Sequence, residues 1–298
     1  MKTQFLGRTY ESPLWVASGT FGWGMEAREG AFWPKGLGAL VTKGVSPLPM
    51  DGAPHPRIFE SGHGVALLNA IGLQNPGLAG FLAKYAAYYD SGKLLCPVWV
   101  NVLGSSVEGY AQVVREICAH VTHSKKDWLA GFEINVSCPN VDKGGAEFGS
   151  DPVLLQALTR ACVEAAGSIP VMVKLAPQNS DLLGMGLAAQ QGGAAALSVA
   201  NTMPAGVPEP EKSRPGNIRW SLGRRFGGLS GPALRPIALR MVDLLVTKLK
   251  MPVCGIGGIE SAHDVREFMA AGASVVQVGT ANFANPWVVE EIANALSR

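Results

Sequence analysis

The sequence predicts an α/β protein folded as a (β/α)8 TIM barrel, a single domain over residues 1–298 with long loops above the C-terminal face. Three observations predict it. Eight short apolar runs rich in Val, Ala and Ile recur along the chain, as expected of strands buried on both faces of a parallel sheet. Amphipathic segments of helical period lie between them. Only 16% of the residues are charged while 47% are hydrophobic, against about 25% charged in an average domain, so one large core suits the chain better than several small ones. A doubly wound sheet is the alternative. Its first strand–helix turn should carry G-x-G-x-x-G, and Gly19 to Gly24 reads G-T-F-G-W-G.

The predicted strands are Trp15–Ser18, Ala39–Lys43, Pro97–Val102, Gly131–Val136, Val171–Leu175, Ala195–Ala200, Val253–Ile256 and Val275–Val278. Val107, Tyr110, Val114, Ile117 and Val121 form one helical stripe. Asp151-Pro152 reads as an N-cap followed by proline at the first helical position. Leu155, Leu158, Cys162 and Ala165 form the stripe that follows it. Pro232 opens a third helix, with Leu234, Ala238, Met241, Leu245 and Leu249 inward; Glu260–Ala271 and Pro286–Leu296 follow the last two strands. Two excursions exceed a minimal barrel: Val45 to Asn75, and Met203 to Ser230 with Pro204, Pro208, Pro210, Pro215, Arg214, Arg219, Arg224 and Arg225. Irregular segments this long are usually lids or binding loops, although a solvated loop whose arginines meet water is the competing use.

The formal net charge is +2, with no block of like charge, which gives no footprint for nucleic acid or membrane. No apolar run reaches the ~18 residues of a spanning helix, and M-K-T-Q-F-L-G-R-T-Y lacks a signal-peptide core. A soluble, cytoplasmic protein is expected. The cysteine count is five, with no C-x-x-C, which speaks against disulfides or a zinc knuckle. Cys96, Cys118, Cys162 and Cys254 read as small buried hydrophobes. His120 and His123 share a helix without a third ligand, so no metal is expected.

Barrel chemistry sits where the strands end. The stretch from Gly131 to Gly149 is the richest: a strand ending in Asn135, then Ser137, Cys138, Pro139 and Asn140, then the flexible pair Gly144-Gly145. The other strand ends supply Ala17, Ser18 and Gly19; Thr42 and Lys43; Asn101; Lys174; Asn201 and Thr202; Gly257-Gly258; and Gly279-Thr280. This rim is rich in amides and short of carboxylates and histidines. Glycines after strands seven and eight let backbone N–H groups approach a phosphate, with tight packing as the competing use. Asn69, Asn135, Asn140 and Asn201 each offer one acceptor and two donors, which together suit a flat heterocycle, though each alone is also a common turn or cap residue. Lys43 and Lys174 need an anionic partner if buried. A flavin that turns negative on reduction would serve; a Schiff-base role for Lys174 is the rival. Cys138, near lysines, has surroundings that lower a thiol pKa and make it a usable base.

The motifs N-V-S-C-P-N-V (135–141), L-N-A-I-G-L-Q-N-P-G (68–77), V-K-L-A-P (173–177), A-N-T (200–202), G-G-L-S-G-P-A (227–233) and G-T-A-N-F (279–283) resemble class 1 dihydroorotate dehydrogenase. The likeness spans nearly the whole chain and is strongest to the subclass 1B catalytic subunit. It implies FMN-dependent oxidation of (S)-dihydroorotate to orotate in pyrimidine biosynthesis. Cys138 would be the base that takes the C5 proton while hydride passes from C6 to flavin N5. Lys43, Asn69, Asn135, Asn140, Asn201 and Thr202 would hold substrate. Ala17, Ser18, Lys43, Asn101, Asn135, Lys174, Gly231, Gly257, Gly258, Gly279 and Thr280 would bind FMN. The resemblance also implies a homodimeric core and an electron-transfer subunit carrying FAD and an iron–sulfur cluster. After Thr202 the chain departs from the subclass with M-P-A-G-V-P-E-P-E-K-S-R-P-G-N-I-R-W. That departure bears on the partner and the electron acceptor, not on the substrate amides. Another flavin-dependent pyrimidine oxidoreductase, similar to dihydropyrimidine dehydrogenase, a Schiff-base aldolase or lyase using Lys174, and a flavin-free scaffold remain the alternatives.

Overall fold

The computed structural model describes residues 2–30, 32–61, 64–136 and 148–297. Its centre is a closed barrel of eight parallel strands. With strands numbered along the chain from a short hairpin, β1 (Thr3–Phe5) and β2 (Arg8–Tyr10), the barrel strands are β3 (Leu14–Val16), β4 (Ala39–Val41), β7 (Val98–Val102), β8 (Leu129–Asn135), β9 (Val171–Lys174), β10 (Ala196–Val199), β13 (Val253–Ile256) and β14 (Val275–Val278). They follow one another around the barrel in sequence order, and β14 closes on β3. All eight coincide with the predicted runs, trimmed or extended by one or two residues at some ends.

Helices cover the outside, and most of the buried apolar side chains lie between them and the strands. Helix Val107–Thr122 is capped by Ser106, whose hydroxyl accepts from Gly109 N. Helix Pro152–Ala166 starts where the sequence predicts: the Asp151 carboxylate accepts from the N–H groups of Val153 and Leu154. Leu155, Leu158 and Cys162 of its stripe are fully buried. The helix after Pro232 begins as a 3-10 turn, Pro232–Leu234, before Arg235–Leu249. The last two helices are shorter than expected, at Ala262–Ala270 and Val288–Leu296.

Two features depart from the sequence reading. The hairpin β1–β2 plugs the end of the barrel away from the strand C-termini. Its Phe5 and Tyr10 pack on Trp15 and Trp99 inside the barrel, with ring centroids 5.4 Å (Phe5–Trp15) and 4.9 Å (Tyr10–Trp15) apart, and Trp99 Nε1 donates to Tyr10 Oη at 3.1 Å. The two long excursions are not wholly irregular. They pair with each other in a four-stranded antiparallel sheet, ordered β11 (Met203–Ala205), β12 (Gly227–Ser230), β6 (Ala66–Asn69), β5 (Ile58–Ser61). Proline is tolerated because β11 is an edge strand, with Pro204 opposite Gly228. Leu68, Ala70 and Leu222 form a small core under this sheet. Arg225, although exposed, lies over the rings of Trp220 and Phe226, 5.5 and 5.0 Å from their centroids.

Candidate active site

Alternation along each barrel strand fixes which side chains point inward. Moving toward the strand C-termini, the inward positions change from apolar to polar: Trp99 to Asn101, Met172 to Lys174, Ala196 to Ser198, Val275 to Gln277. The aromatic plug shuts one end, and the polar end opens into a cavity of about 360 Å³, within the usual range for a small-molecule site.

Every predicted site residue that the structure describes lines this one cavity: Ala17, Ser18, Lys43, Asn69, Asn101, Asn135, Lys174, Asn201, Thr202, Gly231, Gly257, Gly258, Gly279 and Thr280. Cys138 and Asn140 lie outside the described residues. The antiparallel sheet roofs the cavity and delivers the residues that no barrel strand carries. Asn69 ends β6 and its Nδ2 donates to Gly228 O at 3.3 Å. Gly228 is glycine by necessity, since a Cβ there would collide with the Thr202 side chain. Asn201 Nδ2 donates to Asn135 Oδ1 at 3.3 Å, and its Oδ1 accepts from Thr202 N at 2.8 Å. The Asn135 carbonyl in turn accepts from Tyr110 Oη at 2.9 Å. The amides are thereby braced from two elements before any ligand arrives.

Electrostatically the cavity is positive above a buried anion. Lys43 is held below its ordinary value of 10.5, first by burial, partly offset by the Glu26 carboxylate and reinforced by Arg57. Lys174, 4% exposed, is 3.4 Å from Glu133 Oε1, and Glu133 is fully buried. This corrects the expectation that Lys174 awaits a ligand for its anion; among the described residues the cavity lining itself carries no carboxylate or histidine, as expected of the rim. The sequence reading missed Glu133 because it surveyed strand ends, and Glu133 sits inside β8. A signal was there: Glu133 is two residues from Asn135, so it must share its face. The ion pair also opposes a Schiff-base role, which needs an uncharged amine.

At the far side, Gly257 and Gly258 have φ of +128° and +68°, and a Cβ on Gly258 would lie 2.9 Å from Gly231 O. The backbone N–H groups of Gly257, Gly258, Gly279 and Thr280 donate to no described residue. Four such donors around one end of a cavity form an anion cradle. Asn101 Oδ1, buried against the cavity, has no hydrogen-bond partner among the described residues. A cradle for a phosphate and a row of amides for a heteroaromatic edge fit FMN.

The four described cysteines are unsuited to acid–base work. Burial pushes Cys118 up to about 11 and Cys162 up to about 12, and Cys96 and Cys254 higher still. His120 is occupied in a 2.7 Å contact with Asp90, and no group of three or more metal-ligating side chains occurs among the described residues.

The family model for dihydroorotate dehydrogenase matches residues 1–298. The chain belongs to the dihydroorotate dehydrogenase family. Among curated relatives it is similar to the protein named dihydroorotate dehydrogenase B (NAD(+)), catalytic subunit, of Lachnoclostridium phytofermentans, with 42% identity over 96% of this chain and 89% of the relative. The protein of the same name from Pelobacter propionicus is 42% identical over 100% of this chain and 92% of its own length. That from Bacillus pumilus is 38% identical over the same shares. Within the dihydroorotate dehydrogenase family the likeness is therefore to the B-type catalytic subunits. Among the described residues no helix is long and apolar enough to cross a membrane.

Proposed function

We propose that this chain is the catalytic subunit of a B-type dihydroorotate dehydrogenase: an oxidoreductase that removes a proton from C5 and a hydride from C6 of (S)-dihydroorotate to give orotate in pyrimidine biosynthesis. The observation that carries the reading is the convergence of the paired amides, the two lysines and the N–H cradle on one cavity. FMN, when bound, supplies the hydride acceptor. Gly257, Gly258, Gly279 and Thr280 hold its phosphate through backbone N–H groups, with Gly231, Ala17 and Ser18 beside them. Asn101, Asn135 and Lys174 meet its ring system.

Lys43 offers an ammonium to the substrate carboxylate, which offsets the cost of its own burial. Asn69, Asn135, Asn140, Asn201 and Thr202 bind the alternating C=O and N–H edge of the pyrimidine. The Asn135–Asn201–Thr202 relay fixes the Asn135 and Asn201 amides, so less of the site is left to order at the moment of binding. Cys138 takes the C5 proton. The rest of the reading is one FMN-binding barrel domain over 1–298, a homodimeric core in the cytoplasm, and a second subunit with FAD and an iron–sulfur cluster that carries electrons on to NAD. The relatives' names, catalytic subunit and NAD(+), support the second subunit and NAD as acceptor.

The test is anaerobic reduction of the FMN-reconstituted protein by dihydroorotate, with dihydrouracil in parallel. Dihydroorotate should bleach the flavin far faster. Preference for dihydrouracil would move the assignment to another pyrimidine oxidoreductase, and a chain that refuses FMN would remove it altogether. Cys138→Ser should leave FMN bound and slow the bleaching by two orders of magnitude or more, about the worth of a general base. Unaltered bleaching would take the base away from Cys138.

A further inference from the structure

Beneath the cavity floor lies a cluster that substrate binding alone does not explain. Glu133 is fully buried in the middle of β8. Its Oε1 accepts from Asn101 Nδ2 at 2.7 Å and faces Lys174 Nζ at 3.4 Å. Its Oε2 accepts from Ser198 Oγ and from Gln277 Nε2, both at 2.9 Å. The four donors come from β7, β9, β10 and β14, so closure of the barrel assembles the cluster. Two donors on each oxygen fill the acceptor capacity of a carboxylate. Burying such an ion is costly unless it is both paired and hydrogen-bonded, and here it is both. Lys174 and Asn101 also line the cavity, whereas Glu133 does not.

Resting on the flavin reading, we infer that Glu133 is a positioning residue and a fixed counter-charge: it aims the Lys174 ammonium at the cavity floor, and by balancing that charge it sets how strongly the site favours reduced, anionic flavin over oxidised flavin. An ion pair presents the cavity with a dipole, and a lone ammonium would present it with a whole charge. Removing the carboxylate therefore strengthens the hold on the reduced form.

Glu133→Gln tests this with little change of shape. The new amide oxygen accepts from Asn101 and Lys174. The new amide nitrogen donates to Ser198 Oγ and to Gln277, whose Oε1 has no partner among the described residues and turns to accept. The measurement is the ratio of Kd for reduced FMN to Kd for oxidised FMN, from direct titration and from the midpoint potential of the bound flavin. In the Gln variant the ratio should fall by roughly tenfold or more, as expected of one unit charge several ångströms away at an effective dielectric near 20, and the potential should move positive. Glu133→Asp keeps the charge but shortens the arm, so its ratio should stay within a few-fold of wild type although its packing is the more disturbed. An unaltered ratio in the Gln variant overturns the inference, and so does an Asp variant displaced as far as the Gln variant. Should the Gln protein not fold, the Asp protein decides: a tenfold displacement there would mean that packing, not charge, governs the ratio. Wild-type protein that takes up no FMN would sink the flavin reading and this inference together, whereas FMN-loaded wild type beside an indifferent Gln variant would sink this inference alone.

Discussion

The anion cradle can be probed one N–H at a time at Thr280. This residue has φ −52° and ψ −35°, inside the range to which proline locks its own φ. Its N–H bonds to no described residue, so Thr280→Pro deletes a donor that the fold does not use. The residue before a proline is restricted to extended conformations, and here it is Gly279, the most permissive choice. The Thr280 carbonyl keeps its bond from Phe283 N at 3.0 Å. Stability should therefore hold or rise slightly, since a compatible proline typically adds about 0.4–1 kcal/mol. Affinity for FMN should fall. A hydrogen bond to a charged group contributes about 1.5–3 kcal/mol, so Kd should rise roughly ten- to a hundred-fold. The assay is a fluorescence-quenching titration with FMN and, separately, with riboflavin, which lacks the phosphate. Thr280→Ala, which retains the N–H, should behave as wild type. An equal loss for riboflavin, or undiminished FMN affinity in a folded Pro variant, would refute the placement of the phosphate.

Two further outcomes follow from the geometry. Burial lowers the pKa of Lys43 from 10.5, and only the ammonium form attracts a carboxylate. Orotate affinity should therefore weaken as pH rises through that lowered value, earlier than an ordinary lysine would titrate. Calorimetric titration across this window checks it, and Lys43→Met should flatten the profile. At the other end of the barrel, a Cβ on Gly131 would run into the Trp99 indole. Gly131→Ala should cost about 1–3 kcal/mol in urea denaturation while leaving FMN affinity unaltered, because the plug and the cavity lie at opposite ends.

The barrel was legible because parallel strands covered on both faces read as unbroken apolar runs, and each of the eight stands out between turn residues. The antiparallel sheet was not. Its strands are three or four residues long and mostly only partly buried, with burial alternating in β5. They also come from segments 159 residues apart at the pair Asn69 and Gly228. Nothing local in Met203–Ala205, with a proline at its centre, announces a strand; it pairs with β12, which in turn pairs with β6. The hairpin at the start escaped notice for a similar reason. Its strands are three residues each, joined by Leu6 at φ +48° and Gly7 at φ +80°, and its worth lies in the two aromatic rings it carries into the barrel.

The site was more legible than the roof above it, because glycines, amides and lysines at strand ends are conspicuous against apolar strands. What stayed hidden was the charge below. Reading only the ends of strands treats their interiors as packing, and by that habit F-E-I-N is three core positions and an amide. Period two says otherwise: if Asn135 faces the cavity, Glu133 faces the barrel axis, where an unpaired carboxylate could not persist. The same parity applied to β7, β9, β10 and β14 places Asn101, Lys174, Ser198 and Gln277 inward, the four donors that Glu133 meets. A buried acid in a barrel strand thus predicts its own partners, and a lysine at the end of the neighbouring strand that looks like a ligand for substrate or cofactor must first be asked whether it already has an anion.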